Sequence, residues 1–395
     1  MPVPVLHIIT RLAQGGAAEN TIYTVNGLDP SRWKVDLAIG GHPDDDDQVG
    51  KLPIADHVEV HRIPPLVRNP STGELRAVRQ LRRVMRAGGH RIVHTHGSKA
   101  GILGRLAAHR EQVPVIISGV HGHSFSPQMS PPARYLYRAL ERHAARWTSH
   151  FVSVGEDLRD QYLEAGVGRR EQWSVIRSGM ELDRFHAAAD MSPGQRMAVR
   201  EELGIPSTAT VFTMVGRMEQ RKGHRFFLEA AGMLMARRPE RTAEPVFVIV
   251  GDGPEEHNLR AQAAASGIAG HTVFAGYRND VERVISASDA VVLTSLWEGL
   301  PRVLVQAAAT ATPAISFACD GAHEIIADGE NGWVVPMRDT AAVVERMGRL
   351  LADPELGRRM GKAGRVRVNQ DWTVDAMIAE TEALYDHAQV RTSHR

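Results

Sequence analysis

Two clusters of residues in this chain have the types and spacing to act on an anionic substrate. In Ser295-Leu-Trp-Glu298-Gly299-Leu300-Pro301-Arg-Val-Leu-Val-Gln306 a carboxylate, Glu298, sits in a Gly/Pro turn between an apolar run and a helical pattern that starts at Pro301. Proline at a first helical position with glycine just ahead suits a helix start whose free N–H groups face an anion. In Met214-Val-Gly216-Arg217, followed by Lys222-Gly223, two cations stand at the end of another apolar run. Prepositioned cations and N–H donors lower the barrier wherever negative charge grows on a departing group. Two supporting turns, Gly251-Asp252-Gly-Pro254 and Gly276-Tyr277-Arg278, also close apolar runs. Their glycines let the backbone approach a base edge or a phosphate, while Asp252 reads as a turn former.

The first half of the chain contributes histidines and a glycine pair. His121 follows the run 115–120, and His94-Thr95-His96, with Ser98 and Lys99, ends the run before it. Gln14-Gly15-Gly16-Ala-Ala-Glu19 follows the first run but lacks the G-x-G-x-x-G spacing of a dinucleotide fingerprint, which argues against a nicotinamide-dependent oxidoreductase. The i, i+2 histidine pair has no accompanying carboxylate or cysteine, so no metal site is expected there. The acidic run 44–47 has no EF-hand spacing and reads as a solvated loop.

Such groups need strands that end where they stand. Short β-branched runs at 5–9, 35–39, 58–63, 92–95, 115–120, 151–154 and 174–177 alternate with helical patterns, and a second series follows at 211–215, 246–250, 273–275, 290–293, 314–317 and 333–335. That alternation predicts parallel α/β units. At 395 residues with 43% hydrophobic and 24% charged residues, the chain suits two such domains. The balance of 47 Lys+Arg against 46 Asp+Glu argues against nucleic acid as the partner. One cysteine, Cys319, excludes an internal disulfide framework. With no basic apolar leader and no run of roughly 20 apolar residues, a cytoplasmic location is expected. The segment 74–86 carries Arg76, Arg79, Arg82, Arg83 and Arg86 around a stripe of Leu75, Val78, Leu81 and Met85. It could lie peripherally on the inner face of an anionic membrane, but the stripe is needed to pack on the sheet, and an ordinary domain helix is preferred.

The three donor-side motifs, in this order, resemble those of the group-one retaining glycosyltransferases of the GT-B fold, and the resemblance spans nearly the whole chain. It implies an α/β GT-B architecture of two Rossmann-like domains facing each other across a cleft. Residues 1–178 would form the acceptor-side domain, 179–370 the nucleotide-sugar-binding domain, and 371–395 a helix that crosses back to the first. It further implies catalytic roles for His121, Arg217, Lys222 and Glu298. Donor contacts would come from Gly15, Gly16, Gly251, Gly276, Tyr277, Arg278, Gly299, Leu300, Pro301 and Gln306. The expected reaction moves a sugar, with retention and without an essential metal, from a nucleotide diphosphate sugar to a hydroxyl of a glycan, lipid-linked or small-molecule acceptor. A UDP-sugar is the expected donor. Gln306 departs from the family, which has a glutamate there to hold the ribose; glutamine keeps an acceptor oxygen but loses the charge and adds two donors. Competing readings are a nucleotide-sugar epimerase or pseudo-glycosyltransferase on the same fold, and a non-catalytic nucleotide-sugar-binding protein.

Overall fold

The computed structural model describes all residues except 13–14, 42–52, 70, 127–128, 239–242 and 394–395. Gln14 and the acidic run 44–47 therefore lie outside the described residues. The chain divides into two compact units, Met1–Met180 with Asp371–Arg395, and Glu181–Gln370.

The first unit is built on seven parallel strands in the order β3-β2-β1-β4-β5-β6-β7. They are β1 Val3–Ile9, β2 Trp33–Gly40, β3 Glu59–Ile63, β4 Ile92–His96, β5 Val115–Val120, β6 His150–Ser153 and β7 Trp173–Val175. The central strands are buried on both faces, as a parallel sheet covered by helices requires. One face packs Val5, Ile9, Ile92 and Ile117 against the terminal helix Val374–Ser393 through Leu384 and Tyr385. The other packs Leu6, Ile8 and Val93 against the helices Glu74–Gly88 and Ser98–Arg110. Polar contacts fix the terminal helix as well. Glu382 accepts hydrogen bonds from the Asp29 amide (2.9 Å) and the Trp33 indole (3.0 Å), and Asp386 pairs with Arg32 at 2.7 Å.

The arginine-rich segment is an ordinary packed helix. Val78, Leu81 and Met85 are buried as expected, but Leu75 is exposed and Ala77 takes its place in the stripe. Arg82 and Arg86 donate to Glu111 at 2.5 and 2.9 Å, which neutralises part of the basic face. Among the described residues, no helix is long and apolar enough to cross a membrane.

The second unit has six parallel strands in the order β10-β9-β8-β11-β12-β13. These are β8 Thr210–Val215, β9 Pro245–Val250, β10 Thr272–Gly276, β11 Ala290–Leu293, β12 Ala314–Phe317 and β13 Gly332–Val335. In both sheets the order reverses beside the first strand, between β1 and β4 and between β8 and β11. A crevice opens at the carboxyl ends of strands at such a reversal, and ligands of open α/β sheets bind there.

Candidate functional site

In the second unit the loops after β8 and β11 meet at that reversal. Gly223 holds a left-handed conformation (φ 70°), and a Cβ there would lie 2.0 Å from the Thr294 carbonyl oxygen, so glycine alone lets the loop approach β11 this closely. Two hydrogen bonds use the approach: Thr294 Oγ1 donates to the Gly223 carbonyl (3.0 Å), and the Leu296 amide to that of Arg221 (2.8 Å). The cations and the carboxylate are thereby locked together. Lys222 Nζ lies 2.6 Å from Glu298 Oε1, and Arg221 Nη1 lies 3.2 Å from Oε2.

Glu298 is only 7% exposed. Burial alone would raise its pKa, but the charges of Lys222 and Arg221 outweigh that and hold the carboxyl below the ordinary range. The Glu298 amide donates to Asp320 Oδ2 at 3.2 Å, which ties the turn to the loop after β12. His224, buried at the start of the helix His224–Arg237, is lowered to about 4 by burial and by the Lys222 charge. It is a neutral neighbour of the cationic loop.

The structure adds contacts of the predicted residues that the sequence did not show. Arg221, not Arg217, joins Lys222 at Glu298. Arg217 is exposed, with Asp252 as its charged neighbour at 4.0 Å. Gly251 serves loop packing, since a Cβ on it would fall 2.2 Å from the Gly216 carbonyl oxygen, and its amide donates to that of Gly276 at 2.8 Å. The Arg278 side chain is spent on Glu202 and Asp280, both at 2.7 Å, leaving Tyr277 exposed beside it. Leu300 and Pro301 are buried and Gly299 is half-buried. The helix runs Arg302–Ala309, so Pro301 precedes it as the cap rather than forming its first residue. Gln306 is half-buried on that helix. Arg221, Asp320 and His224 escaped the sequence reading. The glycine after Lys222 was the available signal for Arg221, because a loop pinned at Gly223 carries its neighbour to the same place.

In the first unit, Gly15 caps the helix Gly16–Gly27, and among the described residues nothing lies within 4 Å of where its Cβ would stand. His121, half-buried just beyond β5, is hydrogen-bonded to His96 at 2.9 Å. Burial lowers its pKa to about 4. His7 on β1 supplies the third ligand-type side chain missing from the sequence reading, and ring nitrogens of His7, His94 and His96 lie within 4.8 Å of one another. Lys99 is paired with Glu74 at 2.7 Å.

Residues 195–367 match the family described as glycosyl transferases group 1, and residues 15–179 the glycosyl transferase 4-like domain. The chain is 28% identical over 333 residues, 84% of each chain, to the UDP-Gal:alpha-D-GlcNAc-diphosphoundecaprenol alpha-1,3-galactosyltransferase of Escherichia coli. It is 30% identical over 362 residues, 90% of each chain, to EpsD of Bacillus subtilis (strain 168). Among solved structures, Anabaena HepE in complex with UDP-glucose aligns with a TM-score of 0.80 at 20% identity, covering 97% of this chain and 99% of that one.

Proposed function

The chain belongs to the group 1 glycosyl transferases and has the GT-B fold, and from that premise we propose that it moves a sugar from a UDP-sugar to a hydroxyl of a glycan, lipid-linked or small-molecule acceptor, with retention of anomeric configuration. The observation that carries this reading is the pairing of the partly exposed Lys222 and Arg221 with the buried Glu298 at the reversal point of the second sheet. An ammonium has three donors, and Glu298 occupies one of Lys222's. The other two are available to a diphosphate. As the bond from the anomeric carbon to the phosphate oxygen breaks, the electron pair stays on that oxygen, and a fixed cation stabilises it without reorganising. The acceptor oxygen bonds to the anomeric carbon on the face being vacated, and its proton goes to the departing phosphate. Glu298, ionised and held by two cations, is suited to accept hydrogen bonds from sugar hydroxyls.

Support for the UDP donor comes from the E. coli relative, named for UDP-Gal, and from the HepE complex with UDP-glucose. A lipid-linked acceptor has the support of the diphosphoundecaprenol in the same relative's name. Incubation with a panel of nucleotide sugars tests the donor and the turnover, and the anomeric configuration of the released or transferred sugar tests retention. Slow release of UDP from one of them, unaffected by EDTA, is the expected result. Isomerisation of the sugar, or binding without turnover, would sink it, and loss of turnover in EDTA restored by magnesium would sink the metal-independent mechanism.

A further inference from the structure

A row of histidines crosses the first sheet. His7 pairs in register with His94, and His96 with Gly119, so the rings share the face that the terminal helix covers with Tyr385. They form one continuous hydrogen-bonded chain. His94 Nδ1 meets Tyr385 Oη at 2.8 Å, and Oη meets His7 Nε2 at 3.0 Å. His7 Nδ1 meets His96 Nε2 at 2.9 Å, and His96 Nδ1 meets His121 Nε2 at 2.9 Å. Among the described residues, His94 Nε2 and His121 Nδ1, the two ends, are buried without a partner.

Proton counting restricts this chain. A neutral imidazole carries one N–H and one bare nitrogen, and a phenol carries one O–H. Burial keeps all four rings neutral: His7 is lowered to about 3, His121 to about 4, and His94 and His96 fall well below the usual range. The five groups hold five protons and their four contacts consume four. The spare one can stand only on His94 Nε2, on Tyr385 Oη or on His121 Nδ1. The first two sites are sealed in the interior, where His94 is 3% and Tyr385 0% exposed, and an orphaned donor there is costly. His121 Nδ1 is covered as well, but its residue is half-buried at the carboxyl end of its strand, so of the three places this is the one where a modest side-chain movement brings the proton to a ligand oxygen.

We propose that His7, His94, His96 and Tyr385 are positioning residues that hold His121 as its Nδ1–H tautomer, so that it offers a hydrogen-bond donor, not a base, to a hydroxyl or phosphate oxygen. The proposal rests on reading His121 as a substrate-side residue. Its Nε2 is occupied as acceptor of the His96 N–H. Gly119 belongs to the device, because a Cβ there would stand 3.1 Å from both His96 Nδ1 and His94 Nε2 and press on the link to His121.

Nitrogen NMR of the full chain labelled with 15N-histidine reads the tautomer directly at neutral pH, without substrate. The expected spectrum gives His121 a protonated Nδ1 and a bare Nε2. His96→Leu should move both nitrogens to intermediate shifts, since nothing then fixes the proton. Gly119→Ala, which keeps every ring, should shift them in the same direction by less and serves if the leucine variant does not fold. A protonated Nε2 on His121 in the parent protein, or a tautomer unmoved in both variants, overturns the proposal. So does one equivalent of zinc in the protein as purified, because an ion would take the lone pairs the chain uses. UDP-sugar that moves no His121 resonance while the Nδ1–H tautomer is intact would remove His121 from the substrate site and leave the tautomer assignment standing.

Discussion

The two units place polar groups at the same topological position and solve the burial problem in opposite ways. Where the second sheet reverses, Glu298 stays ionised because Lys222 and Arg221 sit against it. Where the first reverses, His7, His94 and His96 lose their charge and bond to one another and to Tyr385. A buried charge needs a partner charge, whereas a buried imidazole needs only a neighbour with the complementary proton. The topology decides where the crevice of each sheet opens; the residues on the strands and loops beside it decide whether ion pairs or neutral hydrogen-bonded rings line that part of the unit.

Removing the charge at one wall is the strongest way to break the comparison. Lys222→Ala should lower kcat by about 10²–10³ while changing donor affinity little, since the lost cation matters most when the leaving group develops its charge. Steady-state rates at saturating donor decide it. An unchanged kcat would remove Lys222 from the mechanism.

The loop that carries Lys222 can be broken without touching a charge. Gly223→Ala forces a left-handed alanine whose Cβ meets the Thr294 carbonyl at 2.0 Å. A loss of roughly 2–3 kcal/mol in urea unfolding is expected for a strained residue that must also displace backbone. A variant as stable as the parent would show that the loop does not need its hold on β11.

Acid should separate the units. A histidine with a lowered pKa binds fewer protons folded than unfolded, so its contribution is intact above about 6.5 and is lost as the pH falls toward its folded value. For His7, lowered to about 3, this amounts to about 2 kcal/mol by pH 5. Glu298 has the opposite history. Its folded pKa lies below the ordinary carboxylate range, so its contribution holds at pH 5 and goes only as the pH falls through that lower value. His224 of the second unit, lowered to about 4, loses about as much as one ring of the first, so hydrogen exchange between pH 7 and 5 should accelerate more in the core of the first unit, which holds four lowered rings, than in the second. Equal acceleration in both would contradict the contrast.

How much of this could be read in the chain follows from what kind of signal each feature leaves. The strands were legible because buried parallel strands are continuous β-branched runs, and each of the thirteen runs carries a strand whose ends differ by at most two residues. Glu298 and Lys222 were legible because their flanking glycines mark turns. The pairing of Arg221 with Glu298 was not, because the two residues stand 77 apart in loops that follow different strands, and three basic residues in one loop, Arg217, Arg221 and Lys222, do not say which of them turn inward. The histidine chain was half visible. His94 and His96 stood out as an i, i+2 pair, whereas His7 and Tyr385 are 378 residues apart and meet only after the terminal helix packs on the first sheet. Helix reading misled at two points: Leu75 lies about 100° round the helix from the face formed by Ala77, Val78, Leu81 and Met85, and Pro301 stops one residue short of the helix it introduces.

The finest distinction concerns Gln306, where one charge separates this chain from the family pattern. Gln306 is half-buried on the Arg302–Ala309 helix, four residues after Arg302 and so on the same face. If its side chain lies over the ribose, Gln306→Glu should strengthen the bonds to the hydroxyls, since an ionised acceptor makes the stronger bond. UDP should then bind about 1 kcal/mol more tightly, or roughly fivefold. A site rebuilt around the two amide donors would instead set the new carboxylate against an acceptor, and affinity would fall. A third outcome has its own signature, because the carboxylate could turn to Arg302. The arginine precedes the glutamate in that pair, the weaker order on a helix, so the gain would be a few tenths of a kcal/mol in stability with no change in affinity. Calorimetric titration of UDP into both proteins, with unfolding curves of each, separates the three. Affinity unchanged at any salt concentration would mean that Gln306 does not touch the nucleotide, and the role carried over to that position would fall while those proposed for Lys222 and Glu298 stand on their own tests.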